Sequence, residues 1–276
     1  MITATDLPFE LVQEILVISA QTSLKQAAIL ARVSHHIYDL IKPILLCTCV
    51  YWDEDRSWPG EFDSKRIQSN GKYVRNLLWG NDRSNWNLLT ILESCPNLTN
   101  IAIWLDASDN DLLLFQEPLS RLRPYRLSID FSDLFGGLFQ ANHAQLPMFV
   151  HLTHLEMASK CGDWESIEGI TYLPSLTHLS LPGEADLTAT SVIRDALERC
   201  KYLSILVLFV SLEAKWISLG EVAMEEPLPS EIQDLSDPRL VAIRCAYLRE
   251  WEVGCSGGRD MWTLAEEIIE KRTQKL

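Results

Sequence analysis

The chain has no run of lysines or arginines and no glycine-rich loop of the kind that cradles phosphate. It also has no apolar stretch of the roughly 20 residues that span a bilayer. Of 276 residues, 24 are basic and 38 acidic, a net charge of −14. A surface of that sign repels phosphate backbones, so no nucleic-acid partner is expected. The longest apolar candidate, 44–52, is short and interrupted by Cys47, Thr48 and Cys49, so no membrane segment is expected. Met1 to Glu10 carry Asp6 and Glu10 and no base, unlike a secretory leader. The seven cysteines are odd in number and scattered. A reducing compartment, cytoplasmic or nuclear, fits them better than a disulfide framework. Asn97-Leu98-Thr99 forms a glycosylation triplet against an expected strand and is read as chance.

Apolar residues make up 47% of the chain and charged ones 22%. That supplies a sizeable core and one or two domains, too much for a disordered chain. Asp6-Leu7-Pro8-Phe9-Glu10-Leu11 opens a helix: proline suits the first helical position, and acids suit the positive end of the dipole. Leu7, Leu11, Ile15 and Leu16 follow on one face. A second amphipathic helix is expected from about Ser23 to Ile41, with Leu24, Ala28, Val33, Ile37 and Ile41 towards a neighbour and Pro43 ending or kinking it. Two or three short helices make a core that is marginal alone.

The segment Leu7-Pro8-x-Glu10-Leu11, then Ile15-Leu16, Val33-Ser34, Ile37 and Pro43-Ile44-Leu45, resembles an F-box. Ser34 stands where that family often has cysteine, His35 and His36 where it has bases, and Ile37 where tryptophan is frequent. The resemblance implies a module over residues 1–50 that docks onto the Skp-type adaptor of an SCF ubiquitin ligase, and through it a cullin scaffold. Carried over position by position, the adaptor-binding residues would be Leu7, Pro8, Leu11, Ile15, Leu16, Val33 and Ile37. Without the resemblance, the same residues also fit a plain helical cap on a repeat array.

An apolar-x-x-apolar-x-apolar core recurs through the remainder, residues 51–276. It reads Val74, Leu77, Trp79; Leu98, Ile101, Ile103; Leu152, Leu155, Met157; Leu176, Leu179, Leu181; Leu203, Leu206, Leu208; and Leu240, Ile243, Cys245. A weaker copy has Pro124, Leu127 and Ile129. Successive starts are 24, 26, 28, 24 and 27 residues apart, and the last step of 37 contains an insertion. Periods of about 20–29 suit strand-and-return units. Cys95, Phe149, Leu173 and Cys200 precede the cores by three residues, so both cysteines read as small core hydrophobes, not metal ligands. Return helices are expected over Trp86–Ser94, Asp186–Arg199 and Asp109–Arg121. The pattern resembles the irregular leucine-rich repeats found downstream of many F-boxes, without their asparagine ladder; a globular mixed α/β domain is the alternative. The expected fold class is therefore α/β: a small helical module, then an irregular leucine-rich-repeat solenoid with a parallel strand face and a C-terminal capping helix at about 260–276.

Alternation along the strands directs the intervening residues to an exposed concave face. The expected partner-binding residues on it are Asn100, Trp104, Arg126, His154, Glu156, His178, Val207 and Phe209. Its end at Ile205, Val207 and Phe209 is apolar, marking an interface or the resting place of the acidic insertion at about 211–239 with its Trp216 and Leu219. His154 and His178 share one register and read as two exposed repeat-face histidines. Cys47, Cys49, His35 and His36 lack zinc spacing. Gly254-Cys255-Ser256-Gly257-Gly258 reads as a turn linking the last strand to the tail helix. No cofactor and no catalytic residue are expected. The function so implied is substrate recognition for a ubiquitin ligase, with an unknown protein as target; the alternative is a repeat scaffold that binds partners without any ligase.

Overall fold

The computed structural model describes residues 7–52, 64–80, 85–104, 113–129, 139–157, 168–183, 190–211 and 223–274. Three helices come first: α1 (Phe9–Gln21), α2 (Leu24–Leu30) and α3 (His35–Leu45). The expected single second helix is two, because Ser23 and Ser34 each accept an N–H three residues on, from Gln26 and Ile37, and so start separate helices. Pro43 does not end α3, which runs on to Leu45 at the cost of one backbone hydrogen bond. The module's core is small: Ala20, Ala27 and Ile41 are fully buried, with Leu30, Ile37, Leu40 and Ile44 packed around them.

Strand β1 (Thr48–Trp52) straddles the expected boundary at residue 50 and begins the sheet. There follow α4 (Ser64–Asn70), β2 (Asn76–Gly80), α5 (Asn85–Ser94), β3 (Asn100–Trp104), α6 (Leu113–Ser120) and β4 (Arg126–Ile129). Next come α7 (Pro147–Val150), β5 (His154–Met157), β6 (His178–Pro182), α8 (Thr190–Arg199) and β7 (Ile205–Ser211). Finally come β8 (Ala223–Glu226), β9 (Leu240–Cys245), α9 (Tyr247–Cys255) and α10 (Met261–Thr273).

The nine strands form one open sheet in the order β1-β2-β3-β4-β5-β6-β7-β9-β8, parallel except for β8, which pairs antiparallel with β9. Spatial order follows chain order up to β7, and the described parts of the returns pack on one face of the sheet. That face is the main core: Leu77 and Trp79, Ile101 and Ile103, Leu127 and Ile129, Leu155 and Met157, Leu179 and Leu181, Leu206 and Leu208 meet Leu88, Ile91, Phe115, Leu119, Val192 and Ile193 of the return segments. Cys95, Phe149, Leu173 and Cys200 lie in the same core, as their spacing requires.

A backbone ladder fixes the register at the strand starts. The carbonyls of Cys47, Arg75, Thr99, Tyr125, Thr153 and Thr177 each accept two consecutive N–H groups from the neighbouring unit. The hydroxyls of Thr99, Thr153 and Thr177 add a bond to the carbonyls of Arg75, Tyr125 and Thr153 at 3.1–3.2 Å. The last unit departs from the expected register. Leu240 pairs with Leu206, so Leu240 and Ala242 face the main core, whereas Ile243 and Cys245 face the opposite side. In a strand, an odd shift exchanges the two faces, and this one also turns Arg244 away from the expected concave side.

The opposite face of the sheet is not open. The α9–α10 pair crosses it from β2 to β9. Trp251 packs on Leu78 and Ala102, and Met261, Trp262, Leu264, Ala265 and Ile268 pack on Ile205, Val207, Val241 and Ile243. The expected capping helix thus exists, but lies across a face, not over an end. The glycine-rich turn joins α9 to α10 rather than a strand to a helix, and Gly257 takes φ 73° there. Of the insertion, 223–226 forms the edge strand β8, and Trp216 and Leu219 lie outside the described residues. Residues 109–112 and 186–189 of the expected return helices also lie outside them.

Candidate functional site

Two features of this fold bear on function. The first is the surface of the helical module. Helix α1 turns Ala20 inward and leaves Leu11, Ile15 and Ile18 on a solvent stripe at i, i+4 and i+7. Ile15 is 54% exposed and Ile18 57%, values far from a satisfied core position. Phe9, Leu24, Ile29 and Val33 are exposed as well. Of the residues expected to bind an adaptor, Pro8, Leu11, Ile15 and Val33 are exposed, and Leu7 and Leu16 are half-buried. Leu16 sits 140° round the helix from Leu11 by the 100° step, so it does not share the stripe. Ile37 packs into the module core. Ile18 continues the Leu11–Ile15 spacing and was legible from it; Leu24 belongs to the expected apolar face of the second helix, and Phe9 and Ile29 carried no periodic signal.

The second feature is the seam under α9 and α10, where the expected partner-binding face lies. Arg126, Glu156, His178 and Val207 are buried, and Asn100, Trp104, His154 and Phe209 are half-buried. These residues therefore form an internal contact, not an open partner-binding face, and the histidines are not surface groups. The physical reason is that each polar member meets a polar or aromatic partner. Asn100 donates to Asn76 Oδ1 at 2.7 Å, and Asn76 reaches Thr48 Oγ1 and the Cys255 carbonyl. Trp104 Nε1 donates to Ser128 Oγ at 2.8 Å.

Arg126 is the centre of the seam. Its Nη1 donates to Asp260 Oδ2 at 2.8 Å, and its Nη2 reaches Glu250 Oε2 at 3.4 Å. Asp260 also caps α10, accepting the N–H and hydroxyl of Thr263 at 2.9 and 2.8 Å. Glu250 accepts the N–H of Met261. Burial disfavours the Arg126 cation, but Glu250, Glu156 and Asp260 outweigh it and hold its pKa above the ordinary value. Burial pushes the Glu250 carboxyl up to about 8; Arg126 opposes the rise, and Glu156 and Asp260 add to it. Gly254 makes room for the cluster: a Cβ there would lie 2.5 Å from Asp260 Oδ2 and 2.6 Å from Arg126 Nη1.

His154 and His178 stack with ring centroids 4.0 Å apart and 12° between planes, and Trp262 stands edge-on to both at 5.3 and 5.6 Å. Their Nδ1 atoms lie 2.8 and 2.7 Å from the hydroxyls of Thr153 and Thr177. Both hydroxyls give their protons to backbone carbonyls. His154 then donates through Nδ1, a tautomer assigned from the network, whereas the Nε2 of His178 also faces Glu266 Oε1 at 3.4 Å. Burial holds His154 down to about 3, with His178 and Arg126 adding to the shift and Asp260 opposing it. Burial also lowers His178, against Glu266 and Asp260. The pair is therefore neutral at pH 7.

Sequence reading missed Glu250, Trp251, Asp260 and Trp262 as members of this seam. Asp260 followed three residues later by Thr263 is a legible helix start; its second role, towards Arg126, has no local signal. No three-residue group of His, Cys, Asp or Glu placed to hold a metal occurs among the described residues, and no helix there is long and apolar enough to cross a membrane. The chain matches no family model and no curated protein sequence.

Proposed function

We propose that this chain is a substrate-recognition subunit of an SCF-type ubiquitin ligase. Its F-box-like module binds a Skp-type adaptor, and through it a cullin scaffold, while the remainder is an irregular leucine-rich-repeat solenoid that presents a target protein. The observation that carries the reading is the apolar stripe Leu11–Ile15–Ile18, exposed on a helical module whose own core is little more than two alanines and an isoleucine. Exposed aliphatic rows of this sort are typical interface anchors. The repeat reading is supported by strands that follow chain order up to β7 and by the carbonyl ladder shared by the starts of β2 to β7. Chemistry belongs to other subunits; this chain supplies proximity between target and ubiquitin donor.

Co-expression with a Skp-type adaptor tests the proposal. The wild-type chain should co-purify with it, and Leu11→Asp with Ile15→Asp should abolish the complex without altering the circular dichroism of the sheet. An adaptor retained by the double variant would overturn the F-box assignment. A soluble, folded wild-type chain that never captures adaptor would leave the non-ligase scaffold as the better reading.

A further inference from the structure

The five residues before each of β2 to β7 form one rim of the sheet, at the ladder of paired carbonyls. They are 71–75, 95–99, 121–125, 149–153, 173–177 and 200–204. In a chain with 38 acidic residues, these thirty positions hold no Asp or Glu. They hold Lys72, Arg75, Arg121, Arg123 and Lys201, and three tyrosines, Tyr73, Tyr125 and Tyr202. Lys72 and Lys42 lie over the Tyr73 ring at 5.0 and 5.5 Å, and Lys201 lies over Tyr202 at 5.0 Å. Tyr125 and Tyr202 are more than half exposed.

Complementing the negative ends of the return helices explains part of this charge. Arg121 folds back on Glu117 of the preceding helix. It does not explain the others. Lys42, Lys72, Arg75, Arg123 and Lys201 form no ion pair among the described residues. The strands hold these positions in register, so the rim from β2 to β7 spans five strand spacings, about 24 Å, the length of about seven extended residues.

We propose that this rim is a docking surface for an extended acidic segment of a partner protein, its carboxylates meeting Arg75, Arg123 and Lys201 and its side chains lying on the exposed tyrosines. Charge complementarity selects that occupant, because four of the five rim cations, Lys72, Arg75, Arg123 and Lys201, form no ion pair among the described residues, on a chain whose net charge is −14. The opposite sign elsewhere repels a long polyanion such as nucleic acid but tolerates a short acidic peptide. With that sheet face covered by α9 and α10, the rim is open to a partner whether or not the helical module binds an adaptor.

The test is fluorescence anisotropy of a labelled hepta-glutamate peptide against the full chain, with hepta-glutamine and a seven-nucleotide single strand as comparators. The variant is Arg75→Glu, Arg123→Glu, Lys201→Glu, all at exposed positions, with folding checked by circular dichroism. The expected result is saturable binding of hepta-glutamate that weakens with salt, is absent for hepta-glutamine, and drops at least about tenfold in the variant. No saturable binding, equal binding by the folded variant, or tighter binding of the oligonucleotide would each overturn the proposal.

Discussion

Arg126→Met isolates what holds the C-terminal helices to the sheet. The substitution keeps an apolar stem of similar reach and removes the cation that both Glu250 and Asp260 touch. Removing one partner of a buried ion pair costs about 3–5 kcal/mol, because the other charge is left without compensation. Here burial raises the Glu250 carboxyl to about 8, so it needs less compensation than Asp260, the nearer partner of Arg126 at 2.8 Å. That places the cost at the low end, about 3 kcal/mol, or roughly a hundredfold in an opening constant. The helices should nonetheless stay docked in most molecules, since Trp251, Met261, Trp262, Leu264 and Ile268 are buried and each contributes about 1.5–3 kcal/mol in transfer terms. Hydrogen exchange read by mass spectrometry is the assay. Amides of 247–273 should lose about a hundredfold of protection, with those of α5 and α8, on the other face, changing less. Adding Glu250→Gln and Asp260→Asn should restore most of the loss, because the asparagine keeps an oxygen for Thr263 and neither carboxylate that touches Arg126 is left charged. Protection within about twofold of wild type in the single variant, or a triple variant no better than the single, would refute the reasoning.

The same groups set a pH dependence. Glu250 keeps its proton up to about 8 when folded and to about 4.3 when unfolded, so its contribution to stability declines as pH rises between those values. His154 and His178 bind protons less readily folded than unfolded, so theirs is lost as pH falls below about 6.5. Two histidines outweigh one carboxyl on the acid side, so Tm should peak near pH 6.5; Glu250→Gln should flatten the alkaline limb and His154→Gln with His178→Gln the acid limb, and a limb that survives its own substitution contradicts the assignment. Gly254→Ala should cost about 2 kcal/mol in urea denaturation by forcing Asp260 from Arg126, and the loss should shrink in the Arg126→Met background; equal losses in both would sink the contact argument. Trp262→Ala should cost about 3–5 kcal/mol and raise the histidine pKa values seen by NMR as the stacked pair gains water; unchanged titration would contradict the shielding role.

The strand side facing the returns was legible because one local rule decides it. Leu77, Ile101, Leu127, Leu155, Leu179 and Leu206 sit at matching places in units of similar length, and each ended in the core. Leu240 broke the reading because the preceding insertion let Ile243 and Cys245 imitate the motif three residues late. The other side was misread for a different reason. Polar residues such as Arg126, Glu156 and His178 alternate with leucines, which is the local signature of exposure. Their burial depends on α9 and α10, and the bonds from Arg126 to Glu250 and Asp260 join residues 124 and 134 positions apart. No window of sequence contains that information. In the module, the Leu11–Ile15 spacing was read correctly, but a helix wheel alone does not say which face a three-helix core takes, so Leu16 and Ile37 were placed with it.

The most direct test of the account is calorimetric titration of a purified Skp-type adaptor into the full chain. The account predicts one-to-one binding at a Kd of about 1 μM or tighter, with a negative heat-capacity change from burying the Leu11–Ile15–Ile18 stripe, both lost in Leu11→Asp with Ile15→Asp. A folded wild-type chain that shows no binding heat at any temperature up to about 100 μM adaptor would contradict it.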